Sequence, residues 1–520
     1  MKVAGASPLD FAQDADVCVI GSGPAGAVAA VALAEHGHRV VLVEAGGDRN
    51  RIAPSEGIGR MDADGDADTG FGRVFAPGGS SGLWAGRVSS FDPIDFAARN
   101  WVPSSGWPLR HTDLAPYVER AWSLLGVDTV RSCPPAEPPG PWSSLLAGGE
   151  LELKHFAWAR EPFRVALWLE ARRPRLDNLL LLTDTVVTSI QTGADGRAAR
   201  AHVRAHSGEP HTLAARVFIL AAGGIETARI LLNSATQDDT VLGHGRQNVG
   251  RYFSTHPKAD IATLHLSRRE PTSHPLYRDE SAGDGRRRAG IGFSALAQER
   301  HRLLNHYVQF SPVSEFRASR AFELAKGHVE AYSPFIDRHA VARGLLPGIG
   351  LMMLAGIGRV ARLQPRAKTL VVRAFLDQFP EPENRITLSS ETDRFGVPRA
   401  DIRWRFGDRD KRSVVDFLRL LDARLVAAKV GRLDYSRLEA MSHWPLTAIH
   451  SHFMGATRMG TDPGHSVVDA DCRVHGIPNL YIGGPSVFPT YGYANPFLST
   501  TALSLRLADH IHRHDLSARK

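Results

Sequence analysis

The stretch that most constrains this chain is DADVCVIGSGPAGAVAAVALAEHGHRVVLVEAGG, Asp14 to Gly47. A β-rich run, Val17–Ile20, meets Gly21-Ser22-Gly23-Pro24-Ala25-Gly26, and Ala-rich helical sequence then leads to a second strand over Arg39–Val43. The order is strand, tight turn, helix, strand. Gly21 suits the turn, Gly23 lets backbone approach a pyrophosphate, and Gly26 lets the helix pack closely while its N-terminus faces the anion. Glu44, at the end of the second strand, can hydrogen-bond a ribose hydroxyl and would repel a 2′-phosphate. A dinucleotide site follows, with NAD and FAD both open at this point.

With 520 residues, 43% of them hydrophobic, the chain can bury a large core and suggests two or three domain-sized units. Cys18, Cys133 and Cys472 have no close pairing spacing, so neither a disulfide framework nor a metal site is expected. The start MKVAGASPLDFAQDAD lacks the apolar core of a secretory signal, which leads to the expectation of a cytoplasmic protein. The net charge of +7 raises the question of nucleic acid. The densest basic knot, GDGRRRAG at Gly283–Gly290, lies among glycines and an acid and reads as a solvated loop, because a phosphate-tracking groove would interleave stacking aromatics. No nucleic-acid partner is expected, and no repeat period suggests a solenoid.

Further along, Gly78-Gly79-Ser80-Ser81-Gly82 can lay backbone N–H groups against a flat polar ring or a phosphate. RVFILAAGGIETARILLNS supplies a short strand at Val217–Leu220 and a helical run through Leu232, so the first domain is expected to be discontinuous. Between about Ser254 and Ser442 the pattern turns to strand-like alternation in LVVRAFLDQFPEPENRITLS and RADIRWRF, with PEPEN and GDRD as turns and a helix from Asp410 to about Lys429. This predicts an antiparallel sheet built for substrate. The apolar run Leu345–Ile357 is short for a membrane span and is broken by Pro347 and glycines. A buried helix or active-site lid is its first reading, and a membrane-touching or lipophilic-substrate lip its second.

Near the C-terminus a strand, Leu480–Ile482, precedes Gly483-Gly484-Pro485, and Ala494-Asn495-Pro496 leads into a helix. Pro496 suits a first helical turn and Asn495 can cap it. A helix N-terminus aimed at the ring would favour the negative charge of a reduced flavin, which tilts the reading toward FAD.

These segments together resemble the glucose–methanol–choline (GMC) oxidoreductases over nearly the whole chain. The resemblance is carried by the opening β-α-β unit and by GGSSGLWAGR, AAGGIETARILLNS, NVGRYFSTHP, HFMGATRMG, VVDADCRVHGIPNLYIGGPSVFPT and ANPFLSTTALSLRLADHI. LWAGRVSSFDPIDF and SGWPL are similar to the bacterial sugar-oxidising branch, near pyranose oxidases and sugar dehydrogenases. The resemblance implies an α/β fold: a discontinuous Rossmann-like FAD-binding domain of the glutathione reductase type, with an antiparallel-sheet α+β substrate domain. It divides the chain into FAD-binding parts at 1–100, 176–253 and 443–520, a connecting segment at 101–175 and a substrate domain at 254–442.

It also implies the site. The family's catalytic pair falls on His452, in HFMGATRMG, and Asn495, in ANP. Cofactor contacts are expected from Gly21, Gly23, Gly26, Glu44, Ala45, Gly79, Ser80, Ser81, Val186, Ala221, Gly484, Pro485, Asn495, Pro496 and Phe497. Some pyranose oxidases tether flavin through a histidine just before the tryptophan of the GG segment. Leu83 stands there, before Trp84, so FAD is expected to be non-covalent. The chemistry agrees, since an alcohol hydroxyl is too weak an acid to ionise unaided. A neutral imidazole, of reference pKa about 6.5, can accept the proton while an amide orients the oxygen.

The expected partners are a small-molecule alcohol or sugar, and oxygen or another electron acceptor; no oligomeric state follows, and membrane contact is only the secondary reading of the apolar run. Trp84, Trp101 and Trp107 are candidates for stacking on sugar faces. Two alternatives stay open: the same oxidation of an apolar alcohol such as a sterol or a natural-product intermediate, and a non-redox lyase on this fold with structural FAD.

Overall fold

Val17, Cys18, Val19 and Ile20 are all buried, so the strand that contains them, β1 (Ala15–Ile20), has both faces covered, as a central strand of a parallel sheet must. The computed structural model describes residues 15–47, 52–64, 72–237, 243–313, 366–439, 444, 446 and 451–517.

β1 lies in a sheet assembled from distant segments. β2 (Val40–Val43) and β5 (Leu179–Leu182) extend it in parallel on one side, and β8 (Pro210–Leu220) and β17 (Leu480–Ile482) on the other. The parallel order is therefore β5-β2-β1-β8-β17, which puts the carboxyl ends of β1, β2, β8 and β17 around one crevice. β8 is long enough to serve two layers. Its second half joins the parallel sheet at Val217–Leu220, while its first half pairs antiparallel with β7 (Ala198–Ala205), itself paired with β6 (Thr185–Thr192).

Helix α1 (Pro24–Glu35) follows β1 directly. Ala25 to Ala34 are all buried, which small side chains permit because they let the helix approach the sheet and its neighbours closely. α2 (Gly223–Gln237) follows β8, and two further long helices are α3 (Asp408–Ala427) and α4 (Phe497–Ile511), the last packed against α1.

The second sheet is antiparallel throughout. β10 (Glu280–Ala282), β11 (Gly285–Phe293), β12 (Tyr307–Pro312), β13 (Arg366–Phe375), β9 (Lys258–Pro271) and β16 (Gly431–Asp434) lie in that order, with β4 (Leu151–Ala159) also on β11. A third, small sheet joins the hairpin β14 (Arg385–Thr392) and β15 (Pro398–Trp404) to β3 (Ile58–Ala63).

Several expectations need correction. The basic knot at Gly283–Gly290 is not a solvated loop: most of it is β11, where Arg287 and Arg288 are buried. Arg287 donates to the carbonyls of Cys133 and Pro134, and Arg288 to that of Phe310, so these arginines close backbone acceptors instead of facing solvent. GDRD is only partly a turn, since α3 begins at Asp408 with Asp410 accepting from the Gly407 N–H at 2.8 Å. The apolar run Leu345–Ile357 lies outside the described residues. Among the described residues no helix is long and apolar enough to cross a membrane.

Candidate active site

The Gly-rich turn is built by close backbone approach. Gly21 has φ +101°, and a Cβ there would meet the Ala221 carbonyl oxygen at 2.5 Å; a Cβ on Gly26 would meet the Gly21 oxygen at 1.9 Å. Gly23 differs, because its missing Cβ would point into open space. Two glycines thus let β1, β8 and α1 touch, and the third leaves room for a ligand. The second glycine loop rests on the first, since a Cβ on Gly79 would meet the Cα of Gly23 at 2.9 Å.

A cavity of about 910 Å³ opens above these loops. Gly21, Gly23, Glu44, Ala45, Gly79, Ser80, Ser81, Val186, Ala221, Gly484, Pro485, Asn495, Pro496, Phe497 and His452 all line it. Gly26 does not; it is buried in the packing of α1 on the sheet. Among the proposed sugar-stacking tryptophans only Trp84 lines the cavity, stacked on Phe497 with ring centroids 3.8 Å apart. Trp101 and Trp107 are tied elsewhere, their indole N–H groups donating to the carbonyls of Leu303 and Thr490, and Trp107 packs among Phe91, Phe96 and Phe488.

Glu44 is buried, and its carboxylate accepts from the Ser22 N–H at 3.0 Å, the Ser22 hydroxyl at 2.6 Å and the Gly46 N–H at 3.1 Å. Burial pushes its pKa up, against the opposing effect of those hydrogen bonds. Ser22 engages both lone pairs of Oε2, so Oε1 is the oxygen with capacity for a ribose hydroxyl. The rest of that wall is an ion-pair cluster: Arg229 pairs with Asp393 at 2.6 Å and Glu226 at 3.0 Å, and Arg73 pairs with Glu226. The cavity volume, the open space at Gly23 and the acidic acceptor at Glu44 together fit an adenine dinucleotide.

His452 reaches the same cavity by a local device. Ser254 and Met454 exchange both backbone hydrogen bonds, at 2.9 and 2.8 Å, so segments 252–256 and 452–456 run antiparallel. His452 itself has φ +61°, a conformation rare for a non-glycine residue. The register places His256 opposite it, and their Nδ1 atoms lie 3.4 Å apart. His256 is fully buried, and burial first, then His452 and Lys258, hold it well below the usual imidazole range.

Asn495 does not cap α4. Pro496 occupies the N-cap position, while the Asn495 Nδ2 donates to the Arg87 carbonyl at 2.9 Å. That bond fixes the orientation of the amide. Oδ1 is buried with no well-aligned hydrogen bond among the described residues.

The cavity floor is the antiparallel sheet. Register sets Gln309 of β12 beside Arg373 of β13, and Phe375 of β13 beside Lys258 of β9. All four line the cavity, as does Arg87. Arg373 pairs with Asp260 at 2.8 Å, and Lys258 Nζ lies 4.9 Å from the Phe375 ring centroid. His256 and this floor escaped the sequence reading. The available signal for His256 was its place in NVGRYFSTHP, just before Pro257. Lys258 stands two residues further on, whereas nothing local distinguishes Gln309 or Arg373.

His465 is exposed and held by Asp462 at 2.7 Å, and His475 contacts the Ser466 hydroxyl at 2.9 Å. His450 lies outside the described residues. Cys18, Cys133 and Cys472 are free thiols, and among the described residues no group of three or more metal-ligating side chains is placed to hold an ion.

Residues 380–504 match the family model described as GMC oxidoreductase, and residues 15–268 match that of pyridine nucleotide-disulphide oxidoreductase. The chain is 27% identical to 6'''-hydroxyparomomycin C oxidase of Streptomyces lividus, over 96% of this chain and 91% of that protein. It is 26% identical to paromamine 6'-oxidase of Streptomyces fradiae, over 96% of this chain and 92% of the relative. Pyridoxine 4-oxidase from Mesorbium loti shares the fold, with a TM-score of 0.54 at 18% identity over 96% of this chain and 99% of that one.

Proposed function

Because this chain belongs to the glucose–methanol–choline oxidoreductases and is an FAD-dependent oxidoreductase of alcohol groups, we propose that it oxidises a hydroxyl of a sugar, glycoside or aminocyclitol to a carbonyl. In this reading His452 accepts the proton and Asn495 orients the reacting oxygen. The observation that carries it is that these two side chains, from segments more than forty residues apart in the sequence, line one cavity with the dinucleotide loop at Gly21 and Gly23.

FAD, when bound, supplies the acceptor for the carbon-bound hydride. The chain's own residues do the rest. Gly23 and the N-terminus of α4 offer backbone N–H groups to phosphate or ring, while the Gly79 N–H is held by the Ala76 carbonyl at 2.8 Å, and Glu44 offers an acceptor to the ribose. With Leu83 in place of a tethering histidine, the cofactor is held non-covalently. The hydroxyl O–H bond breaks as an imidazole nitrogen of His452 takes the proton, a step worth about 10²–10⁴ in rate for a well-placed general base.

Support for a polar substrate comes from the floor, where Gln309, Lys258, Arg373 and Arg87 present polar and cationic groups suited to hydroxyl groups rather than to an apolar ring system. The names of the two relatives, a hydroxyparomomycin oxidase and a paromamine oxidase, support testing sugar-like alcohols first.

The test is the visible spectrum of the purified holoprotein under anaerobic conditions, before and after adding sugars, glycosides, aminocyclitols and apolar alcohols, with His452→Ala beside it. Bleaching by one of the sugar-like classes, much slower in the variant, is the expected result. Bleaching by sterols or aliphatic alcohols alone overturns the substrate class, and a flavin that no alcohol bleaches overturns the oxidation in favour of a lyase.

A further inference from the structure

The antiparallel pairing of Ser254 with Met454 has a chemical consequence one step along each strand pair. It sets His256 directly across from His452, with Nδ1 facing Nδ1 at 3.4 Å and ring centroids 5.5 Å apart. His256 is the deeper of the two, at 0% exposure, and it is walled by the rings of Phe375 and Tyr491.

Two imidazoles that meet nitrogen to nitrogen need one donor and one acceptor. His256 stays neutral, since burial disfavours its cation. It therefore carries one N–H. The Asn495 amide and the Tyr493 backbone carbonyl both favour a proton on its ring, and Nε2 of His256 and Oδ1 of Asn495 are both buried without a well-aligned hydrogen bond among the described residues. A carbonyl oxygen only accepts, and the Asn495 amide is oriented by its Nδ2 bond to the Arg87 carbonyl, which leaves Oδ1 for the ring. A proton on Nε2 of His256 gives these two orphaned atoms one donor and one acceptor, whereas a proton on Nδ1 leaves Oδ1 without a donor, so the N–H is assigned to Nε2 and the lone pair to Nδ1, facing His452.

We propose that His256 is a positioning residue that fixes the tautomer of His452: His452 donates Nδ1–H to Nδ1 of His256, which leaves Nε2 of His452 as the nitrogen that accepts the substrate proton. The same arrangement joins Asn495 to His452 through the His256 ring, so the orienting amide and the base are held by one buried connector. When the substrate O–H breaks and its proton binds Nε2, the resulting imidazolium already has its other N–H on a neutral acceptor. No proton need leave through His256.

The proposal rests on the reading of His452 as the base, and its test separates the two. Holoprotein labelled with ¹⁵N-histidine is examined without substrate by long-range ¹H–¹⁵N correlation, His452 being assigned by loss of its signals in His452→Ala. The expected result is a protonated Nδ1 and an unprotonated Nε2 at neutral pH; the opposite tautomer, or an even mixture, overturns the proposal. Flavin reduction is then followed for His256→Leu, which removes the acceptor, and His256→Asn, whose Oδ1 stands near the place of Nδ1. A limiting rate about 10- to 100-fold lower in the leucine variant with KM little changed, and most of it regained in the asparagine variant, is expected. A leucine variant as fast as the parent, or an asparagine variant no better than leucine, overturns it. Should His256→Leu fail to fold, the tautomer in the parent protein decides. If no alcohol bleaches the flavin while the tautomer is as expected, the functional reading has failed and the positioning of His452 by His256 stands.

Discussion

Gly455 lies so close to Tyr252 that a Cβ at position 455 would stand 1.9 Å from the Tyr252 carbonyl oxygen, and its φ of +67° is one that L side chains avoid. This contact keeps the His452 segment beside the His256 segment. Gly455→Ala is expected to force the two strands apart, costing roughly 2–4 kcal/mol from left-handed strain and overpacking. Thermal unfolding of the holoprotein should show it, together with a fall in flavin-reduction rate. An alanine variant with parental stability and rate would mean that the close approach does not position His452.

Glu44 is expected to govern cofactor affinity. Its carboxylate holds the turn through Ser22 and Gly46 and lines the cavity. Glu44→Ala removes a charged acceptor and strands the buried Ser22 N–H, so FAD affinity should fall about tenfold to a hundredfold, from the 1.5–3 kcal/mol carried by hydrogen bonds to charged groups. Titration of deflavinated protein with FAD, followed by fluorescence quenching, measures it. Unchanged affinity would remove Glu44 from the cofactor contacts.

The Arg229–Asp393 pair is a stability element of the cavity wall. Both residues are buried, at 5% and 6% exposure, and Arg229 also donates to the carbonyls of Val397 and Pro398. Arg229→Leu leaves Asp393 charged and buried without its cation, which is expected to cost about 3–5 kcal/mol. Asp393→Asn keeps a hydrogen-bond acceptor for Arg229 and should cost less. Denaturant unfolding of the two variants, compared at one FAD concentration, gives the order; the reverse order would show that the pair is not the wall's main tie.

Lys258 makes the cavity floor pH-dependent. Burial and the neighbouring Arg87 and Arg373 lower its pKa from 10.5 to about 8. Below that value the ammonium is present, and as pH rises through it the charge is lost. Sugar acids should therefore show a lower KM than their neutral counterparts near pH 7, by about three- to tenfold, and this advantage should fade by about pH 9. Ammonium-bearing sugars should change in the opposite direction, and Lys258→Met should flatten both profiles. A KM for the acid that stays constant across that range, in the parent protein, would show that Lys258 does not meet the substrate.

The dinucleotide loop was legible because its constraints are local. Gly21, Gly23 and Gly26 serve one turn, and strand and helix periodicity flank them within a few residues. The strand at Leu480–Ile482 was equally plain for the same reason. Misreadings arose where a neighbour in space overrode the local pattern. Arg287 and Arg288 look like a solvated loop until backbone carbonyls from other segments claim their guanidinium groups. Asn495 before Pro496 looks like a helix cap until the Arg87 carbonyl, far back in the chain, takes its amide N–H. Trp107 offers itself to a sugar until Phe91, Phe96 and Phe488 enclose it.

The sequence by itself determined the β-α-β start, the dinucleotide turn and the order of the motifs, and it singled out His452 and Asn495 as candidates, because each depends on residues adjacent in the chain. Only the tertiary structure decided that His256, 196 residues from His452, stands against it nitrogen to nitrogen, and that Lys258, Gln309 and Arg373 share one floor. The physical reason is that these contacts are fixed by strand register between distant segments, Ser254 on Met454 and β12 and β9 on β13. Register is set by which buried faces find one another when the sheets assemble, and no local stretch of sequence carries that information.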